Sequence, residues 1–241
     1  MALQKTRRAF ILYLQKRFRY FTTVFFICLN VNCLAQTIIK NYTKDSISHF
    51  LTIGNTQQNV VIPSQYDTVI RIALLYFPEL NKTKIKIRVK KQASPLTARP
   101  NIFACFRKAN KRKYIITINN NNKSKFSAIL LSNLSFNAQI GVIGHELSHI
   151  SDYNKRHGIY FIKLLIMHLS KKKMDRFEYN TDLRCIAHGL GYQLLSWSTE
   201  VRLKLNLTHW KGIKRLNEQG RERYMNPSSI LKVITQTEIY K

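Results

Sequence analysis

The segment Gly141-Val142-Ile143-Gly144-His145-Glu146-Leu147-Ser148-His149-Ile150 constrains this chain more than any other. Ile140, Ile143, Leu147 and Ile150 recur at spacings of three and four, the period of a helix with one buried face. On such a helix His145 and His149 return to nearly the same azimuth, so they can present two imidazole nitrogens to one zinc ion. Glu146 lies beside them, where its carboxylate can hydrogen-bond a metal-activated water and take its proton. A chain with 7 His and 7 Glu in 241 residues would contain this pattern by chance roughly 0.006 times, so coincidence is a poor account. Buried His and Glu also need partners, which a metal site supplies.

The third ligand decides the kind of site. A third His six residues after the second, with Gly midway, would mark a metzincin, but Lys155 and Asp152 occupy those positions. His157, just before Gly158, reads as a solvated turn residue. Further along, Glu178 and Asp182 are four apart, so on a second helix both carboxylates face the same way. The first can complete a three-ligand catalytic site, and the second, a turn away, can orient a ligating imidazole through its other ring N–H. A solvated acidic face is the competing reading, and it fits poorly in a chain with 12 Asp and Glu against 40 Lys and Arg. His145-Glu146-x-x-His149 followed by Glu178-x-x-x-Asp182 resembles the two-helix zinc-binding pattern of the gluzincins. That resemblance covers about residues 136–195. It implies His145, His149 and Glu178 as zinc ligands, Glu146 as the base and Asp182 as the carboxylate behind a ligand imidazole.

Two further residues are candidates for assisting the chemistry. His188, ten residues past Glu178, is about 280° around on an ideal helix. Gly189 and Gly191 can bend the chain there, so His188 either approaches the site to stabilise an oxyanion or is a satisfied core histidine. Tyr224, before Met225-Asn226-Pro227, either offers a phenolic donor or packs before a turn. Cys185, three residues past Asp182, is a thiol near the site or a small buried residue.

Residues 1–20 carry Lys5, Arg7, Arg8, Lys16, Arg17 and Arg19 with no acid, then an apolar stretch runs from Phe21 to Val31 and ends in Asn32-Cys33-Leu34-Ala35-Gln36. This three-part order predicts a signal peptide over residues 1–35, cleaved after Ala35, or else an uncleaved anchor, although the apolar stretch is short for a membrane span. A lipoprotein signal fits less well, because Val31 and Asn32 precede Cys33. The protein is therefore expected outside the cytoplasm, periplasmic, envelope-associated or secreted, with residues 36–241 forming a single domain. Cys28 and Cys33 fall in the signal, which leaves Cys105 and Cys185 to pair in an oxidising compartment or remain apart. The formal charge of +28 is spread along the chain and accompanies no nucleic-acid motif, so nucleic acid is not the expected substrate.

Residues 67–77 read as a helix stopped by Pro78, and Ile85, Ile87 and Val89 alternate with Lys84, Lys86 and Arg88 as a strand with one wet face. Residues 93–100, with Pro95 and Pro100, read as a loop; residues 113–119 read as a second strand and 126–131 as a short helix. This order predicts an α+β fold in which a small sheet packs on the two helices that carry the candidate ligands, and the gluzincin resemblance implies that it is a zincin-like metallopeptidase domain. The strand from Tyr114 to Asn119 is the candidate cleft edge for an extended peptide, or else an interior strand. Residues 159–169 are too few to span a bilayer. They form a buried connecting helix, a lid, or an interfacial helix giving peripheral membrane contact through residues 159–173, where Lys171, Lys172 and Lys173 would meet phosphates. The expected function is a zinc-dependent endopeptidase acting on a peptide or protein substrate, with Glu146 as base and His188 assisting. The alternatives are a basic envelope-associated binding protein whose zinc site is structural or inactive, and a zinc hydrolase of non-peptide amides.

Overall fold

The computed structural model describes residues 38–43, 47, 59–101, 107–207 and 222–241. Its regular elements are β1 (Val60–Val61), α1 (Asp67–Leu75), β2 (Lys84–Val89), β3 (Leu96–Pro100), β4 (Lys113–Ile118), α2 (Phe136–Asn154), α3 (Ile159–His168), α4 (Lys171–Cys185), α5 (Gly191–Lys204) and α6 (Pro227–Gln236). Helix α1 buries Val69, Ile70, Ile72, Ala73 and Leu74, and an Asp67–Arg71 ion pair of 2.7 Å braces its first turn. It ends because Phe77 precedes a proline and is held outside the helical region, at φ −126° and ψ 63°. In β2, Lys84 and Lys86 face water while Ile85 and Ile87 are buried, as the alternation requires. Residues 126–131 form parts of two short 3-10 turns, Ser127–Ile129 and Leu131–Asn133, in place of the expected helix.

The sheet order is β1-β2-β4-β3. Strands β1 and β2 run parallel, as do β2 and β4, whereas β3 is antiparallel to β4 with Leu96 opposite Ile118 and Pro100 opposite Tyr114. Two expectations are corrected here. The Tyr114 strand is interior, paired on both sides, so it cannot be the cleft edge. Among the described strands the two edges are β1 and β3, and β3, the edge that packs on α2, lies within the stretch expected to be a loop. Its prolines are compatible with that position. Pro95 O accepts the Asn119 N–H just past β4 and the Asn101 N–H donates to Lys113 O of β4, so by alternation Leu96, Ala98 and Pro100 turn their backbone groups to the side that no strand pairs among the described residues. The N–H that Pro100 lacks therefore costs no ladder bond.

Helix α2 is the centre of the domain, packed against α1, α4, α5 and β3 and buried along most of its length. Ser135 Oγ accepts from the Ala138 N–H at its start. At its far end the buried Arg112 guanidinium donates to Tyr153 O at 2.8 Å and Arg156 O at 2.7 Å, adding to the Arg156 N–H that Tyr153 O already accepts and tying the residue before β4 to the end of the helix. Gly141 lets α5 approach: a Cβ there would lie 2.2 Å from the Gln193 carbonyl oxygen. Gly141→Ala should therefore cost about 1–3 kcal/mol of stability in chemical unfolding; an unchanged midpoint would contradict this packing.

Helix α3 is not the buried connector. Phe161 and Leu164 face inward, but Ile159, Ile162, Leu165 and Ile166 stand in solvent. The described residues lie in one compact unit, Thr37–Lys241, and the class is α+β. The expected signal over 1–35 and the residue Cys105 lie outside the described residues, while Cys185 is a buried free cysteine. No helix among the described residues is long and apolar enough to cross a membrane.

Candidate metal centre

Helix α2 places His145 and His149 one turn apart, and α4 lays Glu178 across them. Glu178 Oε2 is 3.2 Å from His145 Nε2 and 3.3 Å from His149 Nε2. All three residues are buried, with ligand atoms within 4.8 Å of one another.

The other ring nitrogens show how the imidazoles are held. His145 Nδ1 lies 2.7 Å from Asp182 Oδ1, and Asp182 Oδ2 accepts the Met225 backbone N–H at 2.8 Å. A carboxylate oxygen is only an acceptor, so His145 carries its proton on Nδ1. His149 Nδ1 lies 3.3 Å from Thr181 Oγ1, and the Thr181 hydroxyl already donates to Phe177 O at 3.0 Å. Thr181 must therefore accept from His149. Both rings then turn an Nε2 lone pair toward Glu178.

Two lone pairs and a carboxylate oxygen facing one another repel unless a cation joins them. Glu178 Oε2 is buried and has no hydrogen-bond partner, as befits an oxygen reserved for a metal ion. Electrostatics agree. Burial pushes the Glu178 carboxyl up, but His149 and His145 outweigh it and hold Glu178 well below the ordinary carboxylate range. Burial opposes charge on His145, yet Asp182 and Glu178 overcome it and raise the imidazole well above its usual value. The group can hold a metal ion through two nitrogens and one oxygen, three of the four ligands of a tetrahedral site.

Glu146 is buried beside this group. Burial lifts its carboxyl above the ordinary range, against the opposing pull of His149 and His145, and the Ala98 backbone N–H also approaches it. The outer side of β3 therefore faces the base. Phe177 stacks on His149 at 5.0 Å between ring centroids. Trp197 and Tyr224 flank His145 at 5.6 and 5.7 Å. Burial and then the Glu178 charge push the Tyr224 phenol up, so it remains a neutral O–H at physiological pH.

His188 does not join the cluster, which corrects the expected assistance. Gly189 does bend the chain, with φ 90°, but the bend directs His188 Nε2 to Glu79 Oε1 at 2.9 Å and leaves Nδ1 on Arg184 O at 2.7 Å. Its ring stacks on Phe77 at 4.3 Å. With both nitrogens engaged there, it has none for an oxyanion. Glu79 also accepts from Ser151 of α2 at 2.5 Å, so this network fastens the chain after α1 to two other elements. Burial raises the Glu79 carboxyl, but the hydrogen bonds from His188 and Ser151 prevail and bring it to about 2 from 4.5. A lowered folded-state value stabilises the fold above pH 4.5, with the contribution lost as pH falls toward 2. Glu79→Gln should flatten that part of a thermal-stability profile; an unaltered slope would contradict the network.

His157 is exposed, as expected of a turn residue. Cys185 is buried but stands apart from the ligand group. Sequence reasoning missed Thr181, Trp197 and Ala98. Only Thr181 left a signal, since it lies within 60° of Glu178 on the face that also carries Asp182. Compared with known proteins, the chain matches no family model, no curated protein and no solved structure.

Proposed function

We propose that the chain is a zinc-dependent endopeptidase of gluzincin-like design, with a zincin-like domain. The observation that carries this reading is the buried, unpartnered Glu178 Oε2 facing two histidine nitrogens, with the raised carboxyl of Glu146 alongside. Zinc bound there would supply Lewis acidity, lowering the pKa of a water and polarising the scissile carbonyl. Glu146 takes the proton of the attacking water and returns it to the departing amine nitrogen. Asp182 and Thr181 fix the two imidazoles so that Nε2 stays available. An extended substrate adds to the outer side of β3 through the backbone groups of Leu96 and the Ala98 carbonyl, next to the Ala98 N–H that Glu146 accepts.

Tyr224 takes over the donor role once expected of His188: its neutral phenol lies beside His145 and can stabilise the developing oxyanion. Tyr224→Phe should lower kcat by about 10²-fold with metal content unchanged; equal turnover would remove it from the mechanism. The basic, apolar and small-residue order of residues 1–35 supports export. A structural site in an envelope-binding protein would need a fourth protein ligand, and neither Cys185 nor His188 joins the trio. Zinc analysis of the purified chain, with proteolysis of an unstructured protein by wild type and Glu146→Gln, tests the proposal. Metal binding without any Glu146-dependent cleavage would overturn it.

A further inference from the structure

Helix α3 has two apolar faces. At ~100° per residue, the buried Phe161 and Leu164 lie on one side, with Tyr160 and Met167 half-buried beside them. Ile159, Ile162, Leu165 and Ile166 lie on the opposite side, continued by Leu169, and are 68, 46, 71, 56 and 88% exposed. Elsewhere among the described residues only Val61, Leu203, Leu231 and Ile239 are comparably exposed large hydrophobics, and they are scattered. Concentration on one short helix marks a docking surface rather than ordinary surface composition.

The surroundings identify the occupant. Lys155, Lys163, Lys171, Lys172 and Lys173 are exposed along this helix and at its two ends, and residues 155–173 contain no Asp or Glu. An aliphatic strip with a wholly basic border matches acyl chains beneath anionic headgroups, with lysine stems reaching up to the phosphates. A second copy of this chain docked face to face would set lysines against lysines. The amino-terminal segment, with six Lys and Arg before Tyr20, would bring the same charge. At ten residues, α3 is far too short to span a bilayer and must lie in its plane.

We infer that α3 docks the protein onto an anionic phospholipid surface, with Ile159, Ile162, Leu165, Ile166 and Leu169 entering the interface. Because α3 joins α2 to α4, docking holds the candidate metal centre close to the membrane.

The test uses the full chain with vesicles of phosphatidylcholine alone or mixed with phosphatidylglycerol. Hydrogen exchange should show protection of residues 159–169 with the anionic vesicles and not with the neutral ones. Each lysine near an anionic surface is worth roughly fivefold in partitioning, so Lys171→Glu, Lys172→Glu and Lys173→Glu together should weaken binding at least about 100-fold. Leu165→Ser with Ile166→Ser should weaken it about tenfold or more. These side chains are exposed, and an unchanged unfolding midpoint verifies that each variant folds. Protection confined to residues 1–37, equal binding by the variants, or protection of α3 that depends on protein concentration without vesicles would each overturn the inference.

Discussion

Glu146→Gln should retain zinc and lose peptide hydrolysis by about 10²- to 10⁴-fold, the range a positioned general base contributes. The substitution keeps size and shape at a buried position and removes only the capacity to accept a proton. Folding should not suffer, because burial already disfavours the charged carboxylate there. The amide can still accept the Ala98 N–H through its oxygen, so β3 stays in place. Retained zinc with lost turnover separates the base from the ligands. Undiminished turnover would end the assignment, and loss of zinc would place Glu146 among the ligands instead.

Glu178→Ala should weaken zinc binding by more than the roughly 10- to 100-fold that removal of an outer partner costs. Three ligand atoms become two, and the remaining imidazoles present their lone pairs to a space without the anionic oxygen that offset the metal's charge. Asp182→Asn is the informative companion. It leaves the trio intact but replaces the acceptor on His145 Nδ1 with a group that can present either an oxygen or an N–H. Its loss should stay within that 10- to 100-fold range. Competition against a chromophoric chelator measures both. Full zinc occupancy in Glu178→Ala under competition would remove Glu178 from the ligand set.

The parts of the site readable in the sequence are those fixed by helix geometry. His145 and His149, and Glu178 and Asp182, sit four apart, and a helix converts that spacing into a shared face whatever surrounds it. Thr181 obeys the same rule, but a hydroxyl at that offset has too many ordinary uses to stand out. What escaped depends on tertiary placement. Strand order is not encoded in the local pattern of residues 113–118, so interior and edge positions look alike until neighbouring strands are in place. The prolines of residues 95–100 read as loop punctuation, yet an edge strand tolerates Pro100 when its missing N–H falls on the free side. His188 depended on the direction of one bend: Gly189 at positive φ turned it toward Glu79 rather than the trio. The α+β class survived these misreadings because it rests on the existence of helices and strands, not on their order.

The most direct test is anomalous diffraction at the zinc edge from crystals of the zinc-loaded full chain. One zinc should be bound by Nε2 of His145, Nε2 of His149 and a Glu178 oxygen, at about 2.0–2.2 Å, with no fourth protein ligand. A zinc bound elsewhere, a Glu178 carboxylate outside coordination distance, or a fourth side chain closing the site would contradict the account.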